Sequence, residues 1–194
     1  MIRNLSGGIC VLLQVTALAT RFAMAETCIQ PDQLHVEAID RPFVQERFLA
    51  GMEKPLRSEG RLKVSGETIR WHMTSPFDVE TVLTPTAITQ SINGGPPQQA
   101  GPNGADLSAS IARRLANLLQ GRWSDLQSVF RVAKGATTAG APWSVSLEPL
   151  DQQMQQILGK IEVLGCADIA TIKIDHPNGD REVIDFAPGN APAP

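Results

Sequence analysis

The sequence predicts a mainly β domain of the α+β class, in which helices cover an antiparallel sheet. Between residues 43 and 92, short segments of alternating apolar and polar residues follow one another with tight connections. This is the pattern of an antiparallel meander and not of βαβ units. A single long amphipathic helix then precedes a second group of predicted strands. A helix placed between strands in this way must cover one face or one end of the sheet.

The clearest segment is the hairpin over residues 60–76. Each of its strands carries apolar residues on one face, and a turn at residues 65–67 joins the two strands. Pro76 ends the second strand because proline has no backbone donor for the ladder. The apolar face is bulky enough to fill a core or to line a pocket for an apolar ligand. It consists of Leu62, Val64, Ile69, Trp71 and Met73.

Residues 1–25 are predicted to be a secretory signal peptide. Arg3 gives a short positive start, residues 9–19 are mostly apolar, and Ala23-Met24-Ala25 offers a small-x-small cleavage site. Arg21 interrupts the apolar run before it reaches the roughly 20 residues that a transmembrane helix needs. We therefore expect an exported protein without an integral membrane segment.

Cleavage after Ala25 would leave one domain, residues 26–187, and a tail at residues 188–194 that we expect to be disordered. The cleaved segment contains two basic and no acidic residues, so the net charge would move from −3 to −5. A mildly acidic protein is a poor candidate for binding nucleic acid or an anionic membrane surface.

Two cysteines remain after cleavage, Cys28 and Cys166. In an oxidising compartment an even pair favours one disulfide, and two buried free thiols are the alternative. The two residues are too far apart in sequence for a CxxC redox motif. Without a cysteine and histidine cluster, no metal site is predicted.

The other elements of the first half are assigned by the same patterns. Residues 31–39 are predicted to form a short helix because a proline stands in its first turn. Strands are predicted over residues 43–49, 77–83 and 86–92. The segment 93–104 is rich in Gly, Pro, Asn and Gln, and we expect it to be an irregular loop.

The long helix is predicted over residues 105–121. Asp106 or Ser108 can cap its start, and Gly121 ends it. Its apolar stripe has helical spacing and would face the sheet as a lid. The stripe consists of Leu107, Ile111, Leu115, Leu118 and Leu119.

The second half is predicted to close the sheet. Asp151 can cap a short helix, and Asn178-Gly179 is a strong hairpin dipeptide between the last two strands. The predicted elements are a short helix at 124–129, a strand at 144–147, helical turns at 151–158, and strands at 161–164, 170–175 and 182–186.

The sequence contains little that could carry catalysis. His35, His72 and His176 are placed in a helix, on the polar side of the hairpin and in a turn, and no serine stands in a glycine-flanked elbow. No carboxylate lies in an apolar run that would raise its pKa. The glycine-rich segment after residue 93 lacks the lysine and the spacing of a phosphate-binding loop. We therefore predict no catalytic residue, no cofactor and no metal.

The remaining feature is the apolar face that the strands share. With the amphipathic helix over it, this face can be an ordinary packed core or the lining of a cavity, and periodicity does not separate the two. The residues concerned are Leu62, Val64, Ile69, Trp71, Met73, Val79, Leu83, Trp143, Val145 and Leu147.

Several short motifs follow one another over nearly the whole chain after residue 25. They include F-x-Q-x-R from Phe43, Lys54-Pro55-Leu56, Trp71-His72-Met73-Thr74-Ser75-Pro76, and Leu118-Leu119-x-Gly121. In order and spacing these motifs resemble the outer-membrane lipoprotein carrier (LolA) superfamily of periplasmic proteins. The resemblance implies an unclosed β-barrel with a helical lid over a hydrophobic cavity that accepts acyl chains.

The resemblance also implies a function. It implies a non-enzymatic, monomeric periplasmic carrier of acylated lipoprotein or another lipid, with an inner-membrane donor and an outer-membrane acceptor as protein partners. The alternative is a periplasmic interaction module on the same fold with a packed interior. An esterase-like enzyme is a third reading, and it has the least support in the sequence.

The chain departs from the family at the turn before Trp71. Family members that handle ordinary lipoproteins carry an Arg-Pro there, and that arginine fastens the lid. This chain has Ser65-Gly66-Glu67, with Lys63 nearby. We therefore expect the lid to be held mainly by leucine packing, to open more readily, and to admit a different cargo.

Overall fold

The computed structural model describes residues 27–100, 105–135 and 138–188, without the side chains of residues 105–108. The predicted signal peptide lies outside the described residues, as does all of the predicted tail except Pro188. So do the side chains of Leu107 and of the two predicted helix caps, Asp106 and Ser108.

One antiparallel sheet of eleven strands forms the body of the fold. β1 lies near its middle and pairs with β2 on one side and β11 on the other, so that it joins the two groups of strands. The order is β6-β5-β4-β3-β2-β1-β11-β10-β9-β8-β7, and the ends are not paired with each other, which confirms the unclosed sheet. The strands are β1 Ala38–Phe48, β2 Leu56–Ser65, β3 Thr68–Ser75, β4 Val79–Leu83, β5 Ile88–Ile92, β6 Gln98–Gln99, β7 Phe130–Lys134, β8 Trp143–Pro149, β9 Ile161–Gly165, β10 Ile169–Asp175 and β11 Arg181–Phe186.

Two α-helices accompany the sheet, α1 over Ala105–Leu119 and α2 over Gln152–Gln155. Two 3-10 turns, Pro31–Gln33 and Trp123–Leu126, complete the described elements. Gly121 follows α1 with a φ of 75°, and Asp151 caps α2 by accepting from two backbone N–H groups. Both were predicted from the sequence.

The sheet is much wider than α1 is long. Eleven strands at about 4.8 Å spacing would span roughly 48 Å if flat, whereas a helix of 15 residues is only about 22 Å long. Yet one core cluster joins the buried side of α1 to residues of the strands that run, in sheet order, from β5 across β1 to β8. The core therefore extends beyond the strand β3 on which α1 packs.

The hairpin has the predicted register and faces. Leu62 pairs with Trp71 and Val64 with Ile69, so all four side chains lie on the inner face. Gly60 is required beside them: a Cβ there would lie 2.1 Å from the His72 carbonyl oxygen and 2.8 Å from the Phe43 ring. Because Gly60 has no Cβ, the rings of Phe43 and Trp71 can approach to 4.3 Å between centroids.

The prediction for residues 31–39 was wrong. Only Pro31–Gln33 form a helical turn, and the chain is extended where β1 begins at Ala38. Pairing of β1 with β2 over ten residues outweighs the local preference of a proline-led helix.

Three smaller predictions also need correction. The glycine-rich loop contains a short strand, β6, which pairs with β5. The helix predicted over residues 124–129 is a 3-10 turn over Trp123–Leu126. The strand that follows it, β7, was not predicted. Phe77 lies outside β4 and is 72% exposed.

A disulfide joins Cys28 to Cys166, as the sequence favoured. It fixes the start of the described chain to the turn between β9 and β10. We expect no free thiol after labelling of the denatured, unreduced exported protein. We also expect Cys166→Ser to lower the free energy of unfolding by about 2–4 kcal/mol, because the bond closes a loop of 138 residues. Two labelled thiols per chain, with no loss of stability on reduction, would contradict this.

Candidate functional site

The inner face of the sheet and α1 enclose a packed apolar interior. Of the predicted cavity residues, Trp71, Met73 and Val79 are half-buried, at the side of the interior formed by β3 and β4. The other predicted cavity residues are buried within the core cluster: Leu62, Val64, Ile69, Leu83, Trp143, Val145 and Leu147. In the structure, most of these side chains fill space.

The helix packs on the sheet through small residues as well as leucines. Ala112 and Ala116 are fully buried, and Leu119 is 2% exposed. Of the predicted lid residues, Ile111 and Leu115 are half-buried against the core, and the side chain of Leu107 is outside the described part. The alanines let the helix lie close to the strands.

The hairpin turn also binds the lid through polar groups. Arg113 Nε on α1 lies 3.0 Å from Glu67 Oε1, and both side chains are more than a third exposed. Gln120 Nε2, just after α1, donates to the carbonyl oxygens of Glu37 at 3.0 Å and Gly66 at 3.4 Å. The turn therefore supplies an acid to a cation on α1. Because the Arg113–Glu67 pair is exposed, it stabilises the closed lid by only about 0–1 kcal/mol.

A cavity of about 140 Å³ remains where the end of α1 meets β1 and β10. Ligand pockets commonly measure about 300–1,000 Å³, so this cavity is too small for a complete lipid chain. At roughly 30 Å³ for each water-sized group, it holds about five such groups. Its apolar lining is Val36, Ala38, Ile39, Leu62, Leu119, Ile169 and Phe186.

Arg41 stands at the rim of this cavity and is 8% exposed. Its Nε donates to the Ala187 carbonyl at 2.7 Å and its Nη1 to the Ile169 carbonyl at 2.7 Å. Its Nη2 also donates to Ala187 and, at 3.5 Å, to the Phe186 carbonyl. Asp168 Oδ1 lies 3.1 Å from Nη1 and supplies the countercharge. A buried guanidinium needs such partners, because an unpaired buried charge is strongly destabilising.

Sequence reasoning did not single out Arg41. The available signal was its position in the alternating pattern. Arg41 lies between Ile39 and Phe43 on the inner side of β1, where an apolar residue is expected. The helix predicted over residues 31–39 hides the first part of this alternation.

Asp40, the other carboxylate beside this cavity, pairs with cations of β2. A hydrogen bond from Arg61, on the outer face of β2, holds the pKa of Asp40 below its ordinary value despite partial desolvation, and Lys63 adds to the effect. Asp40 is therefore ionised at neutral pH and paired with cations of the outer face. This leaves Asp168 as the carboxylate that pairs with Arg41.

The histidines lie away from this interior. His35 is exposed, and His72 Nε2 lies 2.7 Å from Asp78 Oδ1 on the outer side of β3. His176 Nδ1 lies 3.2 Å from the Ile157 carbonyl oxygen, and its Nε2 is 3.4 Å from Glu182 Oε1. Within the described ranges, no three His, Cys, Asp or Glu side chains are grouped so that they could hold a metal ion.

Solved structures similar to this one include two that cover most of the chain. The LolA superfamily protein NE2245 from Nitrosomonas europaea is 8% identical, with 84% of this chain and 91% of that chain covered and a TM-score of 0.45. The putative outer membrane lipoprotein-sorting protein domain from Vibrio parahaemolyticus is 11% identical, with 77% and 84% covered and a TM-score of 0.35.

No family model and no curated protein matches this sequence. Among the residues described, no helix is both long enough and apolar enough to cross a membrane.

Proposed function

We propose that this chain is a non-enzymatic periplasmic carrier that binds acyl chains of lipoproteins or other lipids between α1 and the inner face of the sheet. The observation that supports it best is the continuous apolar interior, which ends in a cavity beside α1. The motif order over residues 43–175 supports the same reading. Delivery toward the outer membrane, with donor and acceptor proteins, is part of the proposal.

Binding by this route requires the lid to move. The cavity has room for only about five water-sized groups. An acyl chain longer than this must displace side chains of α1 from the sheet. Burial of a ~16-carbon chain is worth on the order of 10 kcal/mol gross, at about 0.8 kcal/mol for each CH₂. Displacing the lid and ordering the chain subtract from this, so the carrier can bind its cargo and still release it.

The composition of the lid suits such an exchange. Ala112 and Ala116 make fewer apolar contacts with the sheet than leucines would, so lifting that part of α1 sacrifices less packing. The exposed Arg113–Glu67 pair adds little resistance. Leu119, at the end of α1, is the larger anchor.

Native mass spectrometry after mild purification tests the proposal. We expect protein expressed from the full-length sequence and purified from the periplasm to carry additional mass that dissociates as lipid. Protein free of lipid that also fails to take up an acyl probe would contradict the carrier function. That result would favour the second candidate, an interaction module with a packed interior, which the buried inner-face residues support.

A further inference from the structure

The Arg41–Asp168 pair separates two cavities. On its inner side lies the apolar cavity of about 140 Å³, and on its outer side lies a second cavity of about 210 Å³. Both are lined by Arg41, Asp168 and Phe186. The outer cavity adds Cys166, Ala167, Ala170 and Pro188. Movement of one side chain of the pair would join the two spaces.

Of the two side chains, Asp168 can move away from the ion pair at the lower cost in free energy. Its side chain is 38% exposed, whereas that of Arg41 is 10% exposed. Within the part of the chain that the structure describes, Arg41 is the only ion-pair partner of Asp168. A half-exposed carboxylate can turn into water, whereas a buried guanidinium cannot lose its countercharge without a penalty of several kcal/mol.

The partners of Arg41 divide into fixed and exchangeable groups. Its hydrogen bonds go to backbone carbonyls at Ile169, Phe186 and Ala187, which hold the guanidinium in place. Among the described residues, Asp168 is the carboxylate that pairs with the guanidinium. An incoming anion could therefore replace Asp168 without moving Arg41.

We propose that Arg41 binds the head group of a single-chain anionic amphiphile. The head group, a carboxylate or a phosphate, replaces Asp168, and the alkyl chain enters the apolar cavity beside Leu119. Guanidinium groups bind both anions through charge-assisted hydrogen bonds. This inference rests on the proposed acyl-binding function and names the class of lipid that the site would accept.

The test measures displacement of a fluorescent acyl probe by dodecanoate, dodecyl phosphate and dodecan-1-ol. The two anions are kept below their micelle concentrations and the alcohol below its solubility limit. We expect the unaltered protein to bind at least one of the anionic ligands about tenfold more tightly than the alcohol, because a charge-assisted hydrogen bond is worth that much. The two anionic ligands distinguish a carboxylate from a phosphate head group.

Asp168→Asn removes the competing charge and keeps the shape of the side chain. We expect it to tighten binding of the preferred anion about tenfold and to leave dodecan-1-ol unchanged. Asp185→Asn is the matched control, because it makes the same charge change on the outer face of β11, where Asp185 accepts from Thr171. It should change neither affinity.

Arg41→Gln should abolish the preference for the anion. Because it also removes buried hydrogen bonds to three backbone carbonyls, the result with Asp168→Asn decides. Equal binding of the anions and the alcohol by the unaltered protein, or no effect of Asp168→Asn, would overturn the role of Arg41 while leaving acyl binding intact. Absence of binding by all three ligands and by the probe would overturn both this inference and the proposed function.

Discussion

Replacement of Trp71 by Asp is expected to abolish uptake of a fluorescent acyl probe. Trp71 is half-buried on the inner face of β3 and its ring contacts that of Phe43 at 4.3 Å between centroids. A carboxylate at this position would place a charge where the proposed alkyl chain lies. Desolvating that charge would cost several kcal/mol, comparable to much of the net affinity for one chain.

Arg70→Ala is the matched control for Trp71→Asp. Arg70 is the preceding residue, but its side chain lies on the outer face and pairs with Glu80 at 2.6 Å. Loss of this half-exposed pair should change stability by less than about 1 kcal/mol and should leave uptake unchanged. Circular dichroism of both variants checks that they fold. If folded Trp71→Asp binds the probe like the unaltered protein, acyl chains do not occupy this face.

Leu119→Ala is expected to lower the free energy of unfolding by about 2–5 kcal/mol and to speed release of a bound acyl probe. Leu119 is 2% exposed, closes one side of the small cavity, and belongs to the core cluster. Truncation would enlarge the cavity and remove a buried apolar contact at the end of α1. Denaturant unfolding measures the stability, and stopped-flow fluorescence measures the release.

Arg113→Ala tests how much the polar contacts of α1 slow release, compared with the packing of its leucines. It removes the exposed ion pair to Glu67, which should cost no more than about 1 kcal/mol and should alter release only slightly. Faster release in Arg113→Ala than in Leu119→Ala would show that the ion pair holds the lid, and the expectation of a lid held mainly by leucines would be wrong.

Much of the local structure could be predicted because it depends on neighbouring residues alone. Alternation placed Leu62, Val64 and Trp71 on one face, and the observed register places them there. Gly121 and Asp151 end and begin helices through local backbone conformation and hydrogen bonds. Local signals failed at residues 31–39, where pairing with a distant strand decided the structure.

The candidate site could be predicted only in part. Hydrophobic periodicity predicts an inner face for the strands and an apolar stripe on α1, because burial of one side of a strand or helix leaves a regular pattern. It did not indicate that Ala112 and Ala116 would be the most buried positions of the helix. Periodicity carries no information about volume, so it could not distinguish a filled core from a cavity. Only the tertiary structure shows a cavity of about 140 Å³ at the end of α1.

By itself, the sequence determined the class of the fold, the faces of the hairpin, the amphipathic side of the lid helix and a pair of cysteines that could bond. The tertiary structure alone decided the pairing of β1 with β11, which joins the two groups of strands. This pairing places Arg41 beside Phe186 and near Asp168, more than 120 residues away in sequence. Such a site arises from contacts between distant segments, and the local pattern around each segment cannot specify which of the others it will meet.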